Sequence, residues 1–402
     1  MSGLLQGTVN LPGSKSESNR ALMIAAYGGF PLGVEGLSDA HDTLLLKELL
    51  DGSSLREGTV DCQDAGSVAR FLMTYLVGKP GTWILTGTER LCQRPMAPLI
   101  DALRQLGADI TGECLPLRIV GKKLHGGQVT IDASLSSQFA SSLLMAAPTW
   151  EQGLHLNLTG DPVSMPYLEM TIKMMEYFGV QVVREGNTIS VAHQPYQPRS
   201  FTVSPDWSAA SYWYEMMALG EGGELLLKGL NQSSLQGDSV AVEMFAKLGV
   251  KTDFVSEGAR ISKMKNTFLR PEKPLVFDFN NTPDLFPSVF VTCISLNINS
   301  IFIGISTLYN KESDRIKSLI TELSKIYTFI NIVTEDKIII EKSTLGENRF
   351  DIKDIVFNTY NDHRIAMSLA ALRPKLGKLQ LDDPSVVNKS FPRFWEEWEN
   401  CF

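Results

Sequence analysis

Positive charge is in deficit in this sequence: 37 Lys and Arg stand against 45 Asp and Glu, a formal net charge of -8 over 402 residues. A surface built to hold nucleic acid or an anionic membrane would carry the opposite balance, so neither partner is expected. Cysteine is sparse and unpatterned, with Cys62, Cys92, Cys114, Cys293 and Cys401 forming no C-x-x-C pair. An odd set of isolated thiols argues against a disulfide framework and fits a reducing, cytoplasmic compartment. There are 5 histidines, none in a ligand-spaced cluster with cysteine, and no dinucleotide fingerprint. No metal and no organic cofactor are therefore expected. Apolar runs stop short of the roughly 18 residues of a membrane span. The opening MSGLLQGTVNLPG lacks the charged start and apolar core of a signal peptide, so export is not expected.

What is present is a globular composition, 44% hydrophobic and 20% charged, with 32 Gly and 19 Pro to supply turns. A chain of this length exceeds the usual size of one core, which points to about two domains and a cleft between them. Self-comparison finds a repeat. LIDALRQLGADI, TIKMMEYFGVQV and AVEMFAKLGVKT each join an apolar-spaced helix to a glycine and a strand start, with Gly107, Gly179 and Gly249 about 70 residues apart. These glycines suit the left-handed position that closes a helix. LITELSKIYTFI resembles a fourth copy, with Tyr327 in place of the glycine.

A second element recurs between these copies: a strand, a short polar loop, then a helix whose first turn carries Ser, Asp or Arg. Its six occurrences begin TVNLPGSKSESNR, TVDCQDAGSVAR, VTIDASLSSQ, FTVSPDWSAA, LVFDFNNTPDLF and DIVFNTYNDHR. Each loop delivers a helix N-terminus, where backbone N–H groups and the helix dipole favour anions. An ordinary Ser or Asp cap accounts for any one of them. Six of a kind indicate one repeated α/β unit, the first copy trimmed because HDTLLLKELLDGSSLREGTV is too short for a full one.

Charged residues concentrate at the same junctions. NKESDRI holds Lys311, Glu312, Asp314 and Arg315; TYNDHRIAM holds Asn361, Asp362, His363 and Arg364; VVNKSFPRF holds Lys389. With Lys15, Arg20, Arg70, Arg94, Ser136, Ser137 and Gln138 they make a set of cations and hydroxyls spread over separate units. Such groups bind phosphates and carboxylates by charge-assisted hydrogen bonds, so a small polyanion is the natural partner. Taken singly, KESDR reads as a solvated helix face, His363 as a structural hydrogen bonder and Cys92 as a small filler.

The motifs LPGSKSESNR, DAGSVAR, QRPM, SLSSQFASSLLMAAP, PYLEM, KESDR, YNDHRIAM and NKSFPRF stand in the order that resembles the EPSP synthase (3-phosphoshikimate 1-carboxyvinyltransferase) family, from about Leu11 to Phe394. The resemblance implies a two-domain inside-out α/β barrel of six βαβαββ repeats, three per domain. It implies a discontinuous domain of residues 1–14 and 206–402, an inserted domain of residues 15–205 and an active site in the interdomain cleft. It also implies transfer of the enolpyruvyl group of phosphoenolpyruvate to the 5-hydroxyl of shikimate 3-phosphate through a tetrahedral intermediate, by a monomeric enzyme of a family whose phosphoenolpyruvate site is the target of glyphosate.

Carried over by position, Lys15, Ser16, Arg20, Ser136, Ser137, Gln138, Ser164, Tyr167, Asp284 and Lys311 resemble ligands of shikimate 3-phosphate. Lys15, Gly66, Arg94, Gln138, Arg315, Arg364 and Lys389 resemble the phosphoenolpyruvate clamp. Asp284 is expected to take the hydroxyl proton and Glu312 to serve C3 of phosphoenolpyruvate, with Lys15 as proton carrier at the hinge. The chain departs from the family pattern at Asp64 and Ser67 of the glycine loop, at Met165, where a cation is usual, and at Thr307 and Tyr309. The UDP-N-acetylglucosamine enolpyruvyl transferases share the donor, but they resemble GAKN where this chain has GSKS. They also carry a loop cysteine farther from Arg-Pro than Cys92 is from Arg94. A non-catalytic anion binder would have less use for Asp284 and Glu312 beside a polyanion. The stretch Asn297 to Ser343 is unusually rich in Ile, Lys and Asn.

Overall fold

Helices that are apolar on every side must be enclosed on every side, and three such helices organise each half of the chain. Trp207–Leu219, Phe286–Ser295 and His363–Ala370 are buried at every residue. In the other half, Gly66–Val77 is buried except at Ser67, Ser137–Ala146 except at Gln138, and Lys15–Gly28 from Glu17 to Ala25. The computed structural model describes residues 4–31, 33–51, 58–264, 271–345, 355–377 and 379–402. Among these, no helix is long and apolar enough to cross a membrane.

Two compact units result, Met1–Gly13 with Ser204–Phe402, and Ser14–Val203. These bounds differ from the expected 1–14 with 206–402 by one residue at one crossing and two at the other, for local reasons. Pro205 bridges Gly13 and the Asp206 N–H donates to the Pro12 carbonyl at 2.9 Å, which draws Ser204 and Pro205 into the first unit. Ser14 caps Lys15–Gly28, accepting from the Glu17 N–H at 3.4 Å, and so belongs with the second.

One sheet topology recurs four times. In the first unit the spatial orders are Leu4–Val9, Gly222–Lys228, Gly258–Lys263, Val250–Val255 and Leu275–Asp278, Ser300–Ile303, Lys337–Leu345, Tyr327–Val333. In the second they are Gly58–Asp61, Gly81–Thr86, Leu117–Gly121, Asp109–Thr111 and Gly127–Asp132, Leu154–Thr159, Thr188–Val191, Val182–Glu185. The leading pair of each sheet is parallel and the remaining pairings are antiparallel. Gly107, Gly179 and Gly249 close their helices at φ +87°, +86° and +88°, as their spacing predicts.

Among the described residues, two further units hold only parallel strand pairs, Val34–Glu35 with Phe201–Thr202 and Val356–Phe357 with Gln380–Leu381. The first is the copy expected to be trimmed, although residues 52–57 of its HDTLLLKELLDGSSLREGTV segment lie outside the described residues. The sixth is also cut short, although nothing in its sequence announces it. Pro384 cannot donate to a sheet ladder, and the chain turns instead through Pro384–Lys389 into the helix Phe394–Glu399. That ending is anchored by aromatics: Phe391 and Phe394 each pack with ring centroids 5.4 Å from Trp213. The Ile- and Lys-rich stretch acquires a reason as the outer hairpin of a sheet, where Ile338 and Ile340 are buried while Lys337 faces out.

The opening strand completes a sheet whose other members follow residue 220, with Leu5 opposite Gly223. Gly223 has φ +110°, and a Cβ there would stand 1.9 Å from the Leu5 carbonyl oxygen. Gly223→Ala should therefore unseat this strand and lower unfolding free energy by about 2 kcal/mol or more, given about 1–3 kcal/mol for backbone strain alone. Urea denaturation of the variant beside the unaltered protein checks it, and an unchanged midpoint would contradict the pairing.

Candidate functional site

Most of the residues singled out from the sequence as candidate ligands fall at or near a helix start. In the unit Ser14–Val203, Arg20 lies in the second turn of Lys15–Gly28 and is only 2% exposed. Its Nε donates to Thr171 Oγ1 at 2.7 Å, Nη1 to the Ser16 carbonyl at 3.0 Å, and Nη2 to the Tyr167 carbonyl at 3.1 Å and Ser141 Oγ at 3.4 Å. All of these acceptors are neutral. Burial therefore pushes the guanidinium down to about 10, against the pull of Tyr167 and Glu17. A buried cation hydrogen-bonded only to neutral oxygens gains most when an anion arrives.

A second anion-seeking arrangement forms at Gly66. The helix Gly66–Val77 has no acidic residue in its first turn and Ala65 supplies no side-chain cap. A Cβ at Gly66 would lie 2.6 Å from Arg94 Nη1 and 3.0 Å from Arg70 Nη1, so the bare Cα is what lets both guanidiniums close over this helix start. Arg70 Nη1 also donates to Gln138 Oε1 at 2.7 Å, tying in the next helix, where Ser136 accepts from the Gln138 N–H and Ser137 is buried. Lys15 reaches Asp42 at 2.9 Å. Ser164 is buried at the start of Met165–Tyr177 with φ +56°. The structure thus joins Arg20 to Ser16 and Tyr167, and Arg94 to Gly66 and Gln138 through Arg70. Arg70 is a cation to which the family resemblance assigns no role. Its spacing of four residues from Gly66, one helical turn, was the available signal.

The other unit gathers carboxylates and cations into one cluster. Arg315, 1% exposed, donates from Nη1 to Asp284 Oδ1 at 2.9 Å, from Nη2 to Glu312 Oε2 at 3.0 Å, and from Nε to Asp362 Oδ2 at 2.9 Å. Asp284 also meets Arg364 Nη2 at 2.7 Å and Lys311 Nζ at 3.8 Å. Asp362 caps His363–Ala370 by accepting from the Arg364 N–H at 3.0 Å, and Ser313 Oγ adds a bond to it at 3.0 Å. Lys389 ends the turn Pro384–Lys389 and is buried.

Burial alone would raise the Asp284 carboxyl, but Arg364, Lys311 and Arg315 outweigh it and hold the group far below the usual carboxylate range. Arg315 loses by desolvation and gains more from Asp362, Glu312 and Asp284, so its proton is held more tightly than usual. The loop entering His363–Ala370 carries two successive left-handed residues, Tyr360 and Asn361 at φ +55° and +54°. Non-glycine residues rarely hold this conformation, and such strain collects at functional loops.

Residues 1–398 match the family described as EPSP synthase (3-phosphoshikimate 1-carboxyvinyltransferase). The 3-phosphoshikimate 1-carboxyvinyltransferase of Bacteroides fragilis is 40% identical over 399 residues, 98% of this chain and 94% of that protein. The enzyme of the same name from Methanospirillum hungatei is 34% identical over 424 residues, covering 97% and 95%. Among solved structures, EPSP synthase from Acinetobacter baumannii superposes with TM-score 0.75 at 24% identity, covering 100% of this chain and 97% of that one. The enolpyruvyl transferase NikO from Streptomyces tendae gives 0.72 at 14% identity, covering 100% and 96%. At these identities the two structures speak for the fold, which is the α/β architecture expected from the sequence.

Arg315→Met removes a group shared by three carboxylates and leaves the fully buried Asp362, among the described residues, with only the neutral donors Ser313 Oγ and the Arg364 N–H against its charge. The loss expected for breaking a buried ion pair is about 3–5 kcal/mol, measurable as a drop in urea midpoint. A change below about 1 kcal/mol, the worth of a surface pair, would contradict the arrangement.

Proposed function

The chain belongs to the EPSP synthase family, and we infer that it joins the enolpyruvyl group of phosphoenolpyruvate to the 5-hydroxyl of shikimate 3-phosphate, releasing phosphate. Each substrate carries a phosphate and a carboxylate, so cations must offset the repulsion between them. The observation that carries the residue-level reading is Arg20, a buried guanidinium hydrogen-bonded to neutral oxygens alone among the described residues. Arg20 takes the shikimate phosphate, with Ser16, Ser136, Ser137, Gln138, Ser164 and Tyr167 completing the contacts. Lys15 serves both substrates. Arg94 and the bare Gly66, with Arg70 behind them, take phosphoenolpyruvate together with Arg364 and Lys389.

Asp284 accepts the proton of the 5-hydroxyl as Glu312 delivers one to C3, giving the tetrahedral intermediate; in its collapse the C2–O bond to phosphate breaks, the C3 methyl returns a proton to Glu312 to restore the double bond, and the leaving phosphate carries off the hydroxyl proton. A carboxylate bound to three cations is a weak base, however. Phosphoenolpyruvate is an anion that competes with Asp284 for Arg364, and withdrawing a cation now 2.7 Å away raises the proton affinity of Asp284. Donor binding therefore switches on the base. Arg315, committed to three carboxylates, orients Asp284 and Glu312 and adds its charge to the donor side. Lys311 steadies Asp284 next to the acceptor hydroxyl.

The reading extends to a cytoplasmic monomer, a setting that suits the free thiols of Cys62, Cys293 and Cys401. Cys92 is tied to its own loop by a contact to the Gly87 carbonyl at 3.5 Å, which suits a filler and gives no support to a UDP-sugar enzyme.

Phosphate release from shikimate 3-phosphate and phosphoenolpyruvate tests the function, and release only with a UDP-sugar acceptor would overturn it. Asp284→Asn should cut kcat by at least about 100-fold, the usual weight of a general base, and turnover within about threefold of the parent would refute that role. Gly66→Ala pushes against two guanidiniums and should raise KM for phosphoenolpyruvate about tenfold, a loss of about 1.4 kcal/mol, with KM for shikimate 3-phosphate less affected. An unchanged KM for phosphoenolpyruvate would remove Gly66 from the donor side.

A further inference from the structure

The sequence QGD at residues 236–238 carries no motif of its own, yet the fold pins it at the start of Trp207–Leu219. Gln236 accepts from the Trp207 N–H at 2.8 Å and its Nε2 donates to the Pro205 carbonyl at 2.9 Å. This sets Asp238 against Ser208, whose Oγ donates to Asp238 Oδ2. Asp238 is 2% exposed, and its Oδ1 is buried with no hydrogen-bond partner among the described residues. A buried carboxylate with an idle oxygen is costly, and the neutral acid is much less so.

The charged groups that act on Asp238 are Asp206 and Asp284, which repel a negative charge, and Arg364, which attracts one; Ser208 favours the ionised form by its hydrogen bond. Arg364 is also the cation that holds Asp284, at 2.7 Å, and its Nη1 donates to the Tyr212 hydroxyl at 3.4 Å, one helical turn along Trp207–Leu219 from the Ser208 that holds Asp238. Burial first, then Asp284, push the Asp238 carboxyl up to about 7.

We propose that Asp238 is a positioning residue for the donor substrate, acting through Arg364: uncharged, it leaves this guanidinium to Asp284 and the anion, and ionised, it competes with both. The proposal rests on the assignment of Arg364 to phosphoenolpyruvate. Its consequence is a fall in kcat/KM for phosphoenolpyruvate as pH rises through about 7, a limb that belongs to Asp238. The same ionisation weakens the fold. A carboxyl raised in the native state contributes stability that is complete below its unfolded value and is lost as pH rises through its folded one.

The test is the pH profile of kcat/KM for phosphoenolpyruvate in the parent, Ser208→Ala and Asp238→Asn. Substrate ionisation is common to all three and cancels in the comparison. Ser208→Ala deletes a hydrogen bond to the ionised form, so the alkaline limb should move up by roughly one pH unit, the scale of one such bond. Asp238→Asn should lose the limb, which otherwise falls roughly tenfold per unit. A limb unmoved in both variants overturns the proposal, as does an Asp238→Asn protein with native circular dichroism that is inactive at every pH. If Asp238→Asn fails to fold, the direction of shift in Ser208→Ala decides alone. A parent protein that releases no phosphate would instead sink the proposed function.

Discussion

The guanidinium of Arg315 is the constraint on which the larger unit turns. It is buried and bonded to Asp284, Glu312 and Asp362, which arrive from the turn before Phe286–Ser295, from the loop before Arg315–Leu323 and from the cap of His363–Ala370. Burying so much charge is tolerable only because these ion pairs are hydrogen-bonded and the signs balance, with Asp284, Glu312 and Asp362 facing Arg315, Arg364 and Lys311. The same bonds fix the direction of two carboxylates proposed for proton transfer. Stability and chemistry are thus tied to one side chain.

The smaller unit solves a different problem. Arg20 sits among neutral oxygens, and Arg70 and Arg94 close over a helix start that has no acidic residue in its first turn. In one unit Arg315, Arg364 and Lys311 are matched by the protein's own carboxylates, whereas in the other Arg20 is bonded to neutral oxygens alone among the described residues. That asymmetry suits a reaction between two polyanions. Under the assignment proposed above, one anion completes the charge balance at Arg20, and the other disturbs the balance around Asp284 and so makes it a base.

Much of this architecture was legible in the sequence because it is written in local terms. A helix that ends in glycine before a strand reveals itself by spacing, and Gly107, Gly179 and Gly249 occupy the left-handed geometry that their position demands. Polar loops before apolar helices were legible for the same reason. What escaped was set by distance along the chain. Arg315 meets Asp362 across 47 residues, and no periodicity announces it. Arg315 was expected to clamp phosphoenolpyruvate, and its enclosure by three carboxylates emerges only in the folded chain. Asp238 is one acid among many until Gln236 clamps its turn to the Trp207 helix. Trimming of the sixth unit was hidden because VVNKSFPRF reads as a binding motif, while its aromatics also close the core around Trp213.

The most direct test is to titrate the Asp284 carboxyl by carbon-13 NMR, with and without phosphoenolpyruvate. If the anion draws Arg364 away, the Asp284 pKa rises from its depressed value when the donor is bound. A pKa that stays put, or falls further, would contradict the switch and leave Asp284 too weak a base for the role proposed.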